Sequence, residues 1–365
     1  MNTSSLTSAL GVTAKTLRGL GDVSVAGCYT DTLTEYKAIR ESAGIIDGHG
    51  YAILSVSGDA SSEVLDTIVT KDIQFLNSGA ISECAVLDSQ ANMKGTVFVE
   101  KGDDDYRILI PPESKEGVLA LLQDHQCEVQ ITDLSERQSL FFLEGPLSWR
   151  LMKEVFELDI ESLPLRGFME CEYQGVSFTV SRIGRSGEYG YAVRSEQGDL
   201  PALAERLLSH GDGTVKLCGI NALEVCMLEI RQPNLVFEQS EAGNLMELGQ
   251  NWLIQFDKDN YYGRDAVMLA FDQERKIGSV GFLLEDKSES VDGAEVTLGD
   301  NVVGKVLYSM YSPTAKSVLG IVLLDWSLAV AGIPLTLRIG DTEVAPIRTI
   351  SSPFVRPMSW DQKME

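Results

Sequence analysis

Residues 176–193 read VSFTVSRIGRSGEYGYAV, a strand that breaks into a glycine-spaced turn and recovers as a second strand. Val176, Phe178 and Val180 alternate with polar residues, the period of a half-buried strand. Gly184, Gly187 and Gly190 let the backbone turn tightly or approach a ligand, and they present Arg182, Arg185 and Glu188 beside them. Tyr189, Tyr191 and Val193 close the unit. A carboxylate held on such a turn between aromatics can accept two parallel N–H bonds from an amino-pyrimidine edge. The same residues also compose an ordinary hairpin with a salt-bridged Glu188, which is the plainer reading of the turn taken alone.

The 365 residues around this stretch allow two or three domains and a sizeable core. With 44% hydrophobic and 23% charged residues, the composition is that of a soluble globular chain. The net charge of −24 repels phosphate backbones and anionic lipids, which argues against nucleic-acid and membrane partners. No apolar run reaches the roughly 18 residues that span a bilayer. Six cysteines (Cys28, Cys84, Cys127, Cys171, Cys218, Cys226) form no CxxC pair, and they read as small core residues in a reducing compartment. His49, His125 and His210 are isolated and give no metal site. Residues 1–20 hold Lys15 and Arg18 with no acid before Asp22, a faint likeness to an organelle transit segment. They lack a secretory pattern and are expected to form a native first helix in a cytoplasmic protein.

Along the chain, Leu33, Tyr36, Ile39 and Arg40 predict a helix capped by Gly44, and Ile53, Ser55 and Ser57 predict a strand. A helix over 61–71, strands near 81–88, 95–100 and 106–110, and a helix after Pro112 ending near Asp124 make a mixed layer. Phe141–Leu143 predicts a buried strand, and Glu144-Gly145-Pro146 starts a helix. Helices are expected at about 201–208 and across 219–231, where Leu223, Met227 and Ile230 form one stripe. From Arg275 onward, short strands and glycine turns predict a small antiparallel barrel.

Arg182-Ile183-Gly184-Arg185-Ser186-Gly187-Glu188-Tyr189-Gly190-Tyr191 resembles the R-x-G-x-[ST]-G-E-x-G-[FY] signature of the folate-binding aminomethyltransferase family, the T-protein-like proteins of glycine cleavage. Glu35–Asp47, Ser57–Ala60, Glu247–Ala266 and Pro353-Phe354 are similar to further family passages in the same order, so that the likeness spans roughly 33–357. It implies an α+β, three-domain T-protein-like architecture: two mixed sheet/helix domains, expected at 1–135 and 136–272, a C-terminal antiparallel β-barrel at 273–365, and a ligand channel at the centre. It implies tetrahydrofolate as cofactor, its pterin held by Glu188, with Tyr106, Ile108, Arg185, Trp252 and Tyr191 as further binding candidates. Glu188→Ala is then expected to weaken folate binding with little loss of fold, because a turn residue carries little packing.

The chain also departs from that pattern. The family's catalytic carboxylate falls near Thr96, within Ala91-Asn92-Met93-Lys94-Gly95-Thr96, which has no acid. No catalytic residue is assigned, and Asp88 and His49 stand as candidates. Gly48-His49-Gly50-Tyr51 replaces a Val-Ser-His-Met passage, Glu144 stands for a Gln, and Leu223 and Met227 stand for arginines, one of which contacts folate in the family. The resulting expectation is a tetrahydrofolate-dependent methyl or methylene transferase, or demethylase, acting on a small one-carbon donor or acceptor. A lipoyl carrier protein is disfavoured by the acidic charge. The alternatives are the aminomethyltransferase of glycine cleavage and a family member that has lost folate chemistry and acts as a binding protein or on another ligand.

Overall fold

The computed structural model describes residues 4–123, 129–211, 213–238, 245–339 and 343–364; His125 and Cys127 lie outside them. Strands Ile81–Leu87, Met93–Lys101, Asp105–Ile110, Ala52–Ser57 and Gln130–Asp133 form, in that order, an antiparallel five-stranded sheet. Alternation divides its two faces. Val97, Val99, Tyr106, Ile108 and Ile110 pack under helices Ser61–Ile68 and Lys115–Gln123, through Val64, Leu65, Val118 and Leu122. Phe98 and Leu109 face the other way, toward the second sheet.

The second sheet runs Phe168–Tyr173, Val176–Ser181, Gly190–Glu196, Gln138–Glu144, Ala43–Asp47, Val215–Cys218. The last pair is parallel and the others are antiparallel. Its strand at 43–47 comes from far upstream, so the two sheets interleave in sequence. Helices Ser148–Phe156 and Leu200–His210 bury Trp149, Met152, Leu203 and Leu207 against one face. The opposite face joins Phe98 and Leu109 in a shared core with helices Thr32–Glu41 and Ile220–Ile230. Six antiparallel strands between Ile277 and Ile350 close into a barrel around Phe282, Val296, Val322 and Leu337.

Two local expectations are corrected. The N-terminal segment is helical only over Ser5–Ala9, and Thr16–Leu20 is a strand paired with Val23–Cys28. Its β-branched and turn residues win over the amphipathic spacing. Gly44 does not cap the first long helix, which ends at Glu41 with Ser42 as its cap; it lies in the strand that follows. There a Cβ would meet Cys218 Sγ at 2.7 Å and the Ile39 side chain at 2.8 Å, so close packing requires the glycine. Among the described residues no helix is long and apolar enough to cross a membrane, and no group of three or more His, Cys, Asp or Glu side chains is placed to hold a metal. Cys28, Cys84, Cys171, Cys218 and Cys226 are free thiols.

Candidate functional site

The opening stretch folds as read: Val176–Ser181 and Gly190–Glu196 pair antiparallel, with Val180 opposite Val193. Gly184 and Gly190 cross at the base of the loop, where a Cβ on Gly190 would sit 2.6 Å from Gly184 Cα. Gly187, at φ +83°, takes the left-handed conformation that glycine adopts without strain. The loop is pinned from below by Glu144, whose carboxylate accepts the N–H groups of Arg185 (3.0 and 3.1 Å) and Ser186 (2.7 Å). Burial raises the Glu144 carboxyl above the ordinary carboxylate range, against the lowering effect of those bonds.

From this anchored loop Arg185 and Glu188 point to different places. The Glu188 side chain is fully buried, and its carboxylate is spent within the protein. Oε1 accepts from Arg40 Nη1 at 3.0 Å and Met358 N at 3.1 Å, and Oε2 accepts from Ser359 N at 2.9 Å and Ser359 Oγ at 2.6 Å. Arg40, on helix Thr32–Glu41, is equally saturated: its other N–H groups reach Glu229 Oε2 and the carbonyls of Ser186 and Cys226. Glu229 in turn accepts from Tyr36 Oη and Ser312 Oγ. Glu188 therefore belongs to a buried network that joins the first long helix, the glycine loop, helix Ile220–Ile230, the barrel and the C-terminal turn.

Arg185 enters a cavity. Leu20, Val25 and Ala26 of the N-terminal hairpin, Ile46, Asp47, His49 and Tyr51 after the strand at 43–47, Pro112 and Glu113, and Phe142, Ile220 and Leu223 line it with Tyr29, Cys218 and Arg185. Its cavity volume is about 30 Å³, within about 490 Å³ of non-atom space that includes open solvent at the mouth. Past Tyr29, Asp47 and His49 it continues into an outer vestibule beneath the N-terminal segment. Arg185 Nη2 pairs with Glu113 Oε1 at 3.2 Å, with both side chains about nine-tenths buried. Burial works to lower the Arg185 pKa, and the surrounding groups, Glu113 first, hold it above its ordinary value instead. Tyr51 packs its ring 5.4 Å from that of Phe142, and burial pushes its phenol well up. Asp47 accepts from Ser4 Oγ and from His49 N; burial raises its carboxyl.

Three buried polar atoms on this wall have no hydrogen-bond partner: Tyr29 Oη, Tyr51 Oη and Glu113 Oε2. Buried polar groups are nearly always paired, so three unpaired ones lining a single cavity mark a place where ordered water or a polar ligand completes them.

Of the residues singled out in the sequence as site candidates, Arg185 and His49 line the cavity, as does Leu223, which stands for a family arginine; Glu188, Tyr106, Ile108, Tyr191, Trp252, Asp88 and Thr96 do not. Tyr106 and Ile108 lie in the helix-facing core of the first sheet. Leu109, between Ile108 and Ile110, is the one turned to the centre; the difference is one residue of strand register. Tyr191 is wholly buried against the helices of the second sheet. Trp252 is 44% exposed, with Lys71 Nζ 5.3 Å from its ring centroid. Asp88 holds its own loop, accepting from Gln90 N, Asn92 N and Asn92 Nδ2 and pairing with Lys94. Burial opposes these bonds, which nonetheless keep its carboxyl below the usual range. Thr96 donates its N–H to Ser114 Oγ at 3.0 Å. Sequence reading missed Tyr29, Tyr51, Asp47 and Glu113. Only the Gly-His-Gly-Tyr departure at 48–51 and the Pro-Pro-Glu-Ser strand end could have pointed to them.

Comparison with known proteins agrees with this architecture. An aminomethyltransferase of Alkaliphilus oremlandii is 24% identical over 310 residues, covering 84% of each chain. One of Geobacillus thermodenitrificans is 27% identical over 307 residues, covering 82% of this chain and 83% of the relative. Among solved structures, the glycine cleavage system aminomethyltransferase T of Bartonella henselae superimposes with a TM-score of 0.86 over 96% of both chains, at 18% identity, so that the fold is shared throughout. The GCVT N-terminal domain family matches residues 25–258, well over half of the sequence, and the chain belongs to that family.

Proposed function

We propose that the protein is a reduced-folate-dependent one-carbon transferase whose ligand site is the cavity beneath Arg185. The observation that carries this reading is the convergence of three unpaired buried polar atoms, on Tyr29, Tyr51 and Glu113, within one cavity of a fold whose curated relatives are aminomethyltransferases. The lining suits a tetrahydropterin in chemistry, and the cavity of about 30 Å³ has to widen to admit its ring. Phe142, Ile220 and Leu223 offer apolar surface to a flat ring, and the phenols and the carboxylate oxygen offer partners to its edge. When bound, the folate supplies the nitrogen that accepts or gives up the carbon unit. The protein's own part is positioning and exclusion of water. Glu144 fixes the backbone of 185–186, Arg185 is held in place by Glu113, and the N-terminal hairpin covers the cavity through Leu20 and Val25.

A small methyl or methylene donor or acceptor fits better than a lipoyl carrier protein, because a net charge of −24 repels an acidic partner. The aminomethyl reaction named for the relatives is the second reading. A third, binding without transfer, is favoured by the absence of an acid at Thr96. Calorimetric titration with tetrahydrofolate, followed by single-turnover mixing with N-methylated amines and with aminomethyl-lipoyl carrier, separates them. Micromolar binding with transfer from the small amines is expected. Binding without turnover selects the third reading, and absence of binding rejects the proposal.

A further inference from the structure

Strand Met93–Lys101 offers no acid near Thr96, yet the structure sets one beside that position from a different element. The short turn Pro112–Ser114 lies directly against the strand: Ser114 Oγ accepts the Thr96 N–H at 3.0 Å, and a Cβ on Gly95 would come within 2.5 Å of Ser114 Cβ. Glu113, next to Ser114, reaches into the cavity. Two carboxylates line that cavity, and they differ in what remains to them. Asp47 has both oxygens engaged, with Ser4 and His49. Glu113 gives Oε1 to Arg185, while Oε2 is buried and unmatched. An ionised carboxylate accepts and never donates, so an unmatched oxygen at a cavity wall calls for an N–H or O–H from a ligand.

We infer that Glu113 supplies, from the neighbouring turn, the carboxylate that strand Met93–Lys101 lacks, and that its Oε2 accepts an N–H of the bound reduced pterin. The inference rests on the folate reading above. Arg185 has a second role in this arrangement: pairing with Oε1 fixes the carboxylate so that Oε2 faces the ligand. By alternation Thr96 shares the centre-facing side of its strand with Phe98, whereas Val97 and Val99 face the helices, and only its backbone N–H is seen to touch the turn that carries Glu113.

The test is calorimetric titration of the full chain with tetrahydrofolate under anaerobic conditions, with the melting temperature of each variant measured alongside. Glu113→Gln is expected to bind at least about ten-fold more weakly, the size of one lost hydrogen bond to a charged group, and to melt at a lower temperature because the buried Arg185 loses its charged partner. Glu113→Asp keeps the charge but withdraws it by one methylene, and a smaller loss is expected; it decides the matter if Glu113→Gln does not fold. Thr96→Asp placed on Glu113→Gln is expected to regain most of the affinity. If the parent binds and both Glu113 variants bind equally well, the inference is overturned and the folate reading stands. If Glu113→Gln is weak and Thr96→Asp restores nothing, the shared position is overturned. A parent that binds no tetrahydrofolate rejects the folate reading itself.

Discussion

At the scale of single residues, the carboxylates of Glu188 and Glu144 are both engaged by donors within the protein. Glu188 carries the family signature, yet four donors consume it, and one of them is the guanidinium of Arg40, itself nearly fully buried. Removing one partner of a buried pair leaves the other charge stranded, which costs on the order of 3–5 kcal/mol. Glu188→Ala is therefore expected to lower stability by that order in chemical denaturation and to expose the 358–364 segment to proteolysis, in place of the intact fold expected from a turn residue. A loss under about 1 kcal/mol would show that Arg40 finds another partner. Glu144 allows a second prediction, tied to pH. Its folded carboxyl is raised by burial, so the folded state holds the proton more tightly than the unfolded state. Its contribution is then fully present below the ordinary carboxyl range and is lost as pH rises through the raised value. Glu144→Gln removes this decline while keeping an acceptor for Ser186 N, so the variant's stability should change less than the parent's between about pH 4.5 and 7. Parallel pH profiles for the two would contradict the assignment.

At the scale of elements, the strand-turn-strand at 176–193 was legible because alternation and glycine spacing are local signals. The crossing of Gly184 and Gly190 gives a third prediction: Gly190→Ala drives a Cβ to 2.6 Å from Gly184 Cα and 3.0 Å from the Ile183 carbonyl oxygen. Backbone must move, and a cost of about 1–3 kcal/mol is expected in thermal denaturation, together with weaker ligand binding as Arg185 shifts. Unchanged stability would mean that the loop has slack. What stayed illegible is also physical. Tyr106 and Ile108 were assigned to the right strand, but which face of a two-sided buried strand meets the centre depends on the partner sheet, and Leu109 takes that place. The hairpin at 16–28 was masked by residues that also suit a helix, and the cavity residues Tyr29, Tyr51 and Glu113 come from three separate connections. Nothing in the spacing of 29, 51 and 113 announces that they meet.

At the scale of the whole molecule, the two mixed sheets and the barrel were foreseeable because runs of strands and helices set the layers. The interleaving of strand Ala43–Asp47 into the second sheet was not, since pairing between distant segments leaves no local mark. The Arg40–Glu188–Glu229 network and the core shared by Phe98, Leu109, Phe142, Leu223 and Met227 join these layers, so the cavity lies where rigid parts converge. The charge of −24 acts on the entire chain. Self-repulsion is screened by salt, and raising NaCl from about 10 to about 300 mM is expected to raise the melting temperature. A fall would show that paired surface charges outweigh the repulsion. The most direct test of the central claim is a crystal structure of the protein soaked with tetrahydrofolate. The account predicts the pterin ring in the cavity beneath Arg185, against Phe142 and with an N–H on Glu113, while Glu188 keeps its bonds to Arg40 and Ser359. A ring seated on Glu188, or no ring in that cavity, would contradict it.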